Sequence, residues 1–337
     1  MAIRFAFVGF RHGHIRDLYR RAGEADGLEV VAACEEDAEA REQIAAHGVE
    51  ITHSDYEAML SEVDCDVVAV GDYFAIRGSR AVRALGVGKH VIADKPLCTD
   101  PGEVDEIERL AGEKGLKVGC MLNMRDSGRM IEVRRLLLEG TVGETHAISF
   151  EGQHPLSLGS RPAWYFEPGK HGGTITDLAI HAIDSLPWLT GLEFSTVVAA
   201  RCWNAFAPEY PHFEDGAQMM LTMNNGCGVL GDVSYFTPSK ARYRMPFGWR
   251  MTFWGRGGVL ETASSAEGIT LAMAGGEELE TRPIPEGRPG GYLEDFVADI
   301  EGNPRADGLN TEVVLRSIRT AVKIQRAADE RACGVEL

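Results

Sequence analysis

Two short stretches of this chain carry side chains whose types and spacing exceed what packing alone requires. The first is Gly88–Leu97, Gly-Lys-His-Val-Ile-Ala-Asp-Lys-Pro-Leu, where the apolar run Val91-Ile92-Ala93 ends in the charged pair Asp94-Lys95, followed by Pro96. A short apolar run between turn residues suits a central parallel strand, and proline, with no N–H to give a ladder, must lie past its end. Asp94 and Lys95 then fall at the strand's carboxyl edge, where open α/β sheets bind ligands, and Pro96 biases Lys95 towards extended backbone. A surface ion pair beside a turn is the competing reading.

The second stretch is His171–Asp184, His-Gly-Gly-Thr-Ile-Thr-Asp-Leu-Ala-Ile-His-Ala-Ile-Asp. Its glycines lead into a predicted helix on which Asp177, His181 and Asp184 recur at i, i+4 and i+7 and so share a face, leaving Leu178, Ile183 and Leu186 for the core. A carboxylate and an imidazole one turn apart suit general acid/base work, because histidine titrates near neutrality and a neighbouring charge orients it. A plain helix-surface hydrogen bond and a partial metal site compete with that reading. With no further ligand cluster in the sequence, no metal is assigned.

The elements that must position these groups can be read around them. Ile3–Val8 is a β-rich run stopping at Gly9; Arg11-His12-Gly13-His14 follows, then a helical pattern with Ile15, Leu18 and Tyr19, then the strand-like Leu28–Cys34 ending in Glu35-Glu36-Asp37. This is a βαβ unit. Its physical reading is dinucleotide binding, with a glycine turn admitting a pyrophosphate to a helix amino terminus and an acidic side chain after the second strand accepting from ribose hydroxyls. Against G-x-G-x-x-G, Gly9 matches, Arg11 and His14 replace the second and third glycines, and Gly13 comes one place early; a purely structural connection therefore competes. Glu35 favours NAD over NADP, since a carboxylate there repels a 2′-phosphate. Further on come a short helix at Asp55–Leu60, the strand Asp66–Val70 halted by Gly71, a loop over Asp72–Arg77, a helix at Ser79–Leu85, another from Thr99 to Lys114 started by Asp100-Pro101 and stopped by Gly115, and a strand at Leu116–Met121. Such alternation predicts a right-handed, mostly parallel sheet with helices on both faces.

From Asn123 the texture changes. After a helix at Ser127–Glu139, runs at Thr145–Phe150, Val197–Trp203, Gln218–Met223, Cys227–Tyr235, Trp249–Trp254 and Gly268–Met273 are separated by turn residues with few helices between, which predicts an antiparallel sheet; Phe296–Ile300 and Thr311–Glu330 close as helices. The 337 residues suggest two domains, placed at 1–122 and 123–337. A net charge of −17 argues against nucleic-acid and anionic-membrane partners. Seven scattered cysteines without CxxC spacing imply a reducing compartment and no zinc site, and no apolar run reaches membrane-span length, so a soluble cytoplasmic protein is expected.

The order of these features resembles the Gfo/Idh/MocA oxidoreductases, the glucose–fructose oxidoreductase and inositol dehydrogenase family. The family's Glu-Lys-Pro motif appears as Asp94-Lys95-Pro96 and its Gly-Gly-x-x-x-Asp-x-x-x-His motif as Gly172-Gly173 through Asp177 and His181, with Asn123-Met124-Arg125 between them. The resemblance implies an α/β architecture, a Rossmann domain followed by an α+β domain with a large open, mainly antiparallel sheet that packs subunits into dimers or tetramers. It implies NAD-dependent hydride transfer from a sugar or cyclitol hydroxyl, with Lys95 stabilising the developing alkoxide, His181 as general base and Asp177 holding substrate. Gly9, Arg11, His12, Gly13, His14, Glu35, Gly71, Asp72, Tyr73, Asp94 and Lys95 are the expected cofactor contacts, with Phe74 beside Tyr73 on the nicotinamide side; Asn123, Arg125, Arg161 and Trp164 join the catalytic residues around substrate, Lys170 being a weaker candidate. Arg77 stands where many members have a histidine in the loop before the Lys-Pro strand, and Asp94 is a shorter carboxylate than the family's glutamate. The same scaffold also serves lyase, glycosidase or epimerase reactions through bound NAD, and non-catalytic sugar or nucleotide sensing is the alternative from another class.

Overall fold

The computed structural model describes residues 2–241, 245 and 248–337, and the chain divides into two compact units. One gathers residues up to Met121 with Pro162–Gly172 and Tyr292–Ile318; the other gathers Leu122–Arg161, Gly173–Gly291 and Arg319–Leu337.

The first unit is built on five parallel strands, β1 (Ile3–Val8), β2 (Leu28–Cys34), β3 (Val67–Val70), β4 (His90–Ala93) and β5 (Val118–Cys120), in the order β2-β1-β3-β4-β5. Helices α1 (Ile15–Glu24), α2 (Ala38–Ala45), α3 (Tyr56–Glu62), α4 (Phe74–Gly86) and α5 (Pro101–Lys114) make the connections. Every residue of β3 is buried, as expected of a strand covered on both faces. Strand order reverses between β1 and β3, which opens the crevice at their carboxyl ends that doubly wound sheets use for ligands. The start and stop of α5 follow the sequence signals: Asp100 accepts from the Glu103 N–H, Pro101 takes the first position, and Gly115 closes the helix with φ +65°.

Two elements differ from expectation. The loop expected over Asp72–Arg77 is already helix from Phe74, so Arg77 sits inside α4 rather than in a loop. No side chain caps that helix; its Ala75 N–H bonds instead to the carbonyl of Lys170, nearly a hundred residues away and invisible to local pattern. Helix α2 was not expected, and its cap is Asp37, whose carboxylate accepts from Ala40 N–H.

In the second unit α6 (Gly128–Leu138) precedes a sheet whose strands are β6 (Thr145–Pro155), β7 (Phe194–Trp203), β8 (Gly216–Met223), β9 (Gly228–Thr237), β10 (Met251–Gly255), β11 (Gly258–Thr262), β12 (Ile269–Met273), β13 (Glu280–Arg282) and β14 (Val335–Glu336). Among the described residues the order is β13-β12-β11-β10-β6-β9-β8-β7-β14, antiparallel throughout except for the parallel pair β6–β9. Strand β11 alternates buried and less buried positions, the mark of a sheet with one covered face. Val198, Met220, Leu230 and Trp254 are exposed on this sheet.

Between β6 and β7, a π-helical turn at Ile175–Ala179 runs into α7 (Ile180–Thr190). A regular helix with one polar face was expected; instead residues 175–186 are buried on every side, including Asp177, His181 and Asp184. The chain's last two helices are α8 (Gly291–Ile300) and α9 (Thr311–Asp329). Among the described residues no helix is long and apolar enough to cross a membrane.

Candidate active site

The turn after β1 is organised by one glycine and one carboxylate. Gly9 has φ +76°, and a Cβ there would lie 2.5 Å from Asp72 Cβ, so the turn can pass the end of β3 only without a side chain. Glu35 is fully buried, its carboxylate accepting from Phe10 N–H at 2.6 Å and Asp37 N–H at 2.9 Å. Burial pushes its pKa up, opposed by those two N–H groups. The acid expected to meet a ribose thus also locks the turn. Arg11, at the second fingerprint position, holds its Nε 3.5 Å from Glu35 and 3.4 Å from Asp72, with its guanidinium 5.3 Å from the Tyr73 ring centre. Asp72 is further paired with Arg80 at 3.0 Å.

At the end of β4, Asp94 and Lys95 are buried as the strand reading required. What holds them is Arg77, itself fully buried. Its Nη1 donates to the carbonyls of Asp94 at 2.8 Å, Lys95 at 2.7 Å and Pro96 at 3.1 Å, its Nε to Asp72 O at 2.7 Å, and its Nη2 to Asp94 Oδ2 at 3.1 Å. Sequence reasoning marked Arg77 only as a departure; it is the clamp of the whole segment. Asp94 Oδ2 also meets His12 Nδ1, and Oδ1 lies 3.4 Å from His14 Nδ1. The shorter carboxylate therefore reaches two histidines of the turn, of which His14 stands at the third fingerprint glycine. Beside them stands an aromatic group: Phe74 lies 5.2 Å from His12, 4.9 Å from Trp164, 5.5 Å from Tyr165 and 5.4 Å from His171, and Lys95 Nζ lies 5.9 Å from its ring centre. Trp164 is fixed by its Nε1–H, which donates to Arg11 O at 3.2 Å.

The second unit builds its own cluster. Asp177, in the π turn, accepts from the Tyr235 hydroxyl of β9. His181 stands edge-on to Trp249 at 5.4 Å, and His154 packs against the same indole at 5.6 Å. Gln325 supports the turn, accepting from Ile175 N–H at 2.9 Å in a space that Gly173 keeps clear: a Cβ there would lie 2.3 Å from Gln325 Cδ. Neither Tyr235 nor Gln325 was found by sequence reasoning, because one sits in an apolar strand and the other in an ordinary amphipathic helix. Arg125 is buried in a two-point pair with Asp184, Arg161 donates to the carbonyls of Leu156 and Pro155, and Lys170 pairs with Glu167, while Asn123 is exposed. The cationic heads named for substrate are thus bound to the protein's own acceptors.

Expected cofactor contacts Gly9, Arg11, His12, Gly13, His14, Glu35, Gly71, Asp72, Tyr73, Asp94 and Lys95 all fall in the first unit with Trp164; Asn123, Arg125, Arg161, Asp177 and His181 fall in the second. Two side-chain groups among the described residues bring metal-ligating atoms together, His12/His14/Asp94 and Cys202/Glu214/Asp329; neither contains Asp177 or His181. Arg11 Nε and Asp94 Oδ1 are buried polar atoms without hydrogen bonds. Both keep charged neighbours, Arg11 Nε between Glu35 and Asp72 and Asp94 Oδ1 beside His14, at the carboxyl ends of β1 and β4 where doubly wound sheets bind ligands.

Two family models match this chain: an oxidoreductase family with an NAD-binding Rossmann fold over residues 3–122 and the GFO/IDH/MocA C-terminal domain over residues 130–261. The chain belongs to the GFO/IDH/MocA family. Levoglucosan dehydrogenase of Pseudarthrobacter phenanthrenivorans is 28% identical over 206 residues, 58% of this chain and 52% of that protein. Inositol 2-dehydrogenase of Salmonella typhimurium is 26% identical over 202 residues, 58% of this chain and 57% of that protein. The matched region spans about half the length of these curated relatives. Among solved structures, an inositol dehydrogenase homologue from Azotobacter vinelandii, complexed with NAD+, superposes with a TM-score of 0.81 at 17% identity, covering 100% of this chain and 97% of that one, a likeness of fold.

Proposed function

We propose that this GFO/IDH/MocA chain is an NAD-dependent dehydrogenase acting on a hydroxyl of a sugar or cyclitol. The observation that carries the reading is the clamp at the end of β4, where one buried arginine fixes three successive carbonyls around Lys95 and so presets the backbone of a lysine at the ligand edge of the sheet. NAD, when bound, supplies the hydride acceptor. The phosphate turn with Gly9, Arg11 and Gly13 would hold its pyrophosphate, and the acids Glu35 to Asp37 favour the unphosphorylated ribose. Lys95 stabilises the alkoxide that develops as the hydroxyl loses its proton, and His181 takes that proton while Asp177 orients the substrate. The names of the relatives, dehydrogenases of levoglucosan and inositol, support the polyol class.

The test is a titration with NAD and NADP together with a panel of sugars and cyclitols followed by NADH absorbance. Lys95→Ala should lower turnover by about 10²–10³-fold or more while leaving the NAD dissociation constant nearly unchanged. Undiminished turnover removes Lys95 from the chemistry, and a wild-type chain that binds neither dinucleotide at millimolar concentration ends the dehydrogenase reading. We further infer a homodimer or homotetramer formed through the open sheet, supported by the exposed Met220, Leu230 and Trp254. Sedimentation checks this: Leu230→Glu should shift the mass towards the monomer, and a wild-type monomer contradicts it.

A further inference from the structure

The turn after β1 carries an imidazole, His12, at a position that the dinucleotide fingerprint leaves open to any side chain. His12 projects from that turn to Asp94 at the end of β4, its side chain only 11% exposed. Asp94 is fully buried and held as a carboxylate, its pKa well below the usual range; burial opposes the charge, but the Arg77 guanidinium and the hydrogen bond from His12 outweigh it. An ionised carboxylate only accepts, so His12 Nδ1 must carry the proton it gives to Asp94. Arg77 already balances the Asp94 charge at 3.1 Å, and a second cation in this pocket would stand in excess. Burial accordingly lowers the His12 pKa to about 4, against the pull of Asp94, leaving the ring neutral at pH 7. The tautomer is then set, with Nδ1–H donating and Nε2 presenting a lone pair.

Among the described residues no group hydrogen-bonds that Nε2. The nearest ring is that of His14 at 4.4 Å, with Phe74 at 5.2 Å and Trp164 and Tyr165 each at 6.3 Å. A phosphate oxygen has no proton to give such an acceptor and would be repelled by it. A hydroxyl has one.

We infer that His12, oriented by Asp94, is a hydroxyl-binding residue of the ligand crevice, its Nε2 accepting a hydrogen bond from a sugar O–H. This rests on the dehydrogenase reading above. The hydroxyl belongs either to the ribose beside the dinucleotide's pyrophosphate or to the polyol substrate, and the experiment separates the two.

Two variants divide the ring's functions. His12→Asn keeps a donor to Asp94 and removes the distal acceptor; His12→Gln places a carboxamide oxygen near the Nε2 position. Dissociation constants for NAD, ADP-ribose and ADP are measured by tryptophan fluorescence, with the KM for whichever polyol turns over. A weakening of NAD and ADP-ribose by about tenfold in His12→Asn, with ADP unchanged and His12→Gln restoring most of the loss, assigns the hydroxyl to the non-adenosine ribose. Unchanged NAD binding with a polyol KM raised by a similar factor assigns it to the substrate. Both constants unchanged in His12→Asn overturn the inference, even where Lys95→Ala has upheld the dehydrogenase reading. A wild-type chain that binds no dinucleotide and turns over no polyol overturns both together. Nitrogen-15 correlation spectra of the free wild-type protein at pH 7 give a readout independent of activity and of any variant's folding: Nε2 must be the unprotonated nitrogen. A proton on Nε2 overturns the inference, as does stoichiometric zinc in the purified protein that His12→Asn abolishes, because Nδ1 would then be a metal ligand beside His14 and Asp94.

Discussion

Two buried arginine–aspartate pairs, Arg125–Asp184 in the second unit and Arg77–Asp94 in the first, are built differently. Arg125 spends Nε and Nη2 on both oxygens of Asp184 at 2.7 and 2.6 Å, with its guanidinium 5.5 Å from the Trp188 ring centre. Arg77 spends most of its donors on carbonyls and meets the Asp94 carboxylate through Nη2 alone, leaving the rest of that carboxylate for His12 and His14. The first pair is closed, each charge consumed by the other. The second is open, with one partner fixing backbone and the other holding an imidazole. Residue type is identical in the two; what separates them is how many donors and acceptors are left for a third group.

The largest effect should come from breaking either pair from its arginine side. Arg125→Met should cost about 3–5 kcal/mol in urea unfolding by taking the guanidinium from the buried Asp184 carboxylate, with the NAD affinity of the folded protein within twofold of wild type. Arg77→Met should cost a similar amount and also weaken NAD binding, because the carbonyls around Lys95 lose their anchor. If both variants lose stability alone, the distinction between open and closed pairs fails. Next is acid. The pKa of His12 in the folded protein, about 4, lies below its unfolded value of 6.5, so the unfolded chain binds this proton more tightly. His12 therefore contributes full stability above pH 6.5 and loses about 3 kcal/mol as pH falls to about 4. The groups facing it are Asp94, Arg77 and His14, with His171 on the far side of Phe74. Urea midpoints from pH 7 to 4 should fall in wild type and fall much less in His12→Asn; parallel curves contradict a neutral buried ring. Smallest is Tyr235→Phe, which takes a hydroxyl from Asp177. It should lower kcat/KM three- to tenfold at a cost of about 1 kcal/mol in stability, with NAD binding unchanged. Equal kinetics would reduce Tyr235 to packing.

The same contrast shows what local sequence could and could not reveal. Strands β1 and β2 were read to the residue, and β3 and β4 closely, because their near-continuous apolar runs have no competing period. The carboxyl-edge position of Asp94 and Lys95 followed from a proline that cannot join a ladder. The start of α4 was missed because its first N–H bonds are met from residue 170. Strand β6 runs five residues past Phe150 through Glu-Gly-Gln-His-Pro, held there by its parallel partner β9 rather than by its own composition. Arg125 was expected to meet substrate and Arg77 was marked as a departure from a family histidine; only three-dimensional partners tell that one is sealed against Asp184 and the other braces a motif. Asp177, His181 and Asp184 were picked out by type and spacing, but a single shared face did not anticipate that Asp177 would turn to Tyr235 and Asp184 to Arg125.

The π turn at Ile175–Ala179 carries a consequence for how this sequence can change. Such a turn is an α-helix with one residue inserted, so it sets the phase of everything after it. Deleting one residue between 175 and 179 would let the helix regularise with His181 kept at nearly its present angle to Gly173, whereas a substitution that forced the full-length segment into a regular α-helix would swing His181 by about 100° around the axis. The segment should therefore tolerate a one-residue deletion better than it tolerates substitutions that straighten it.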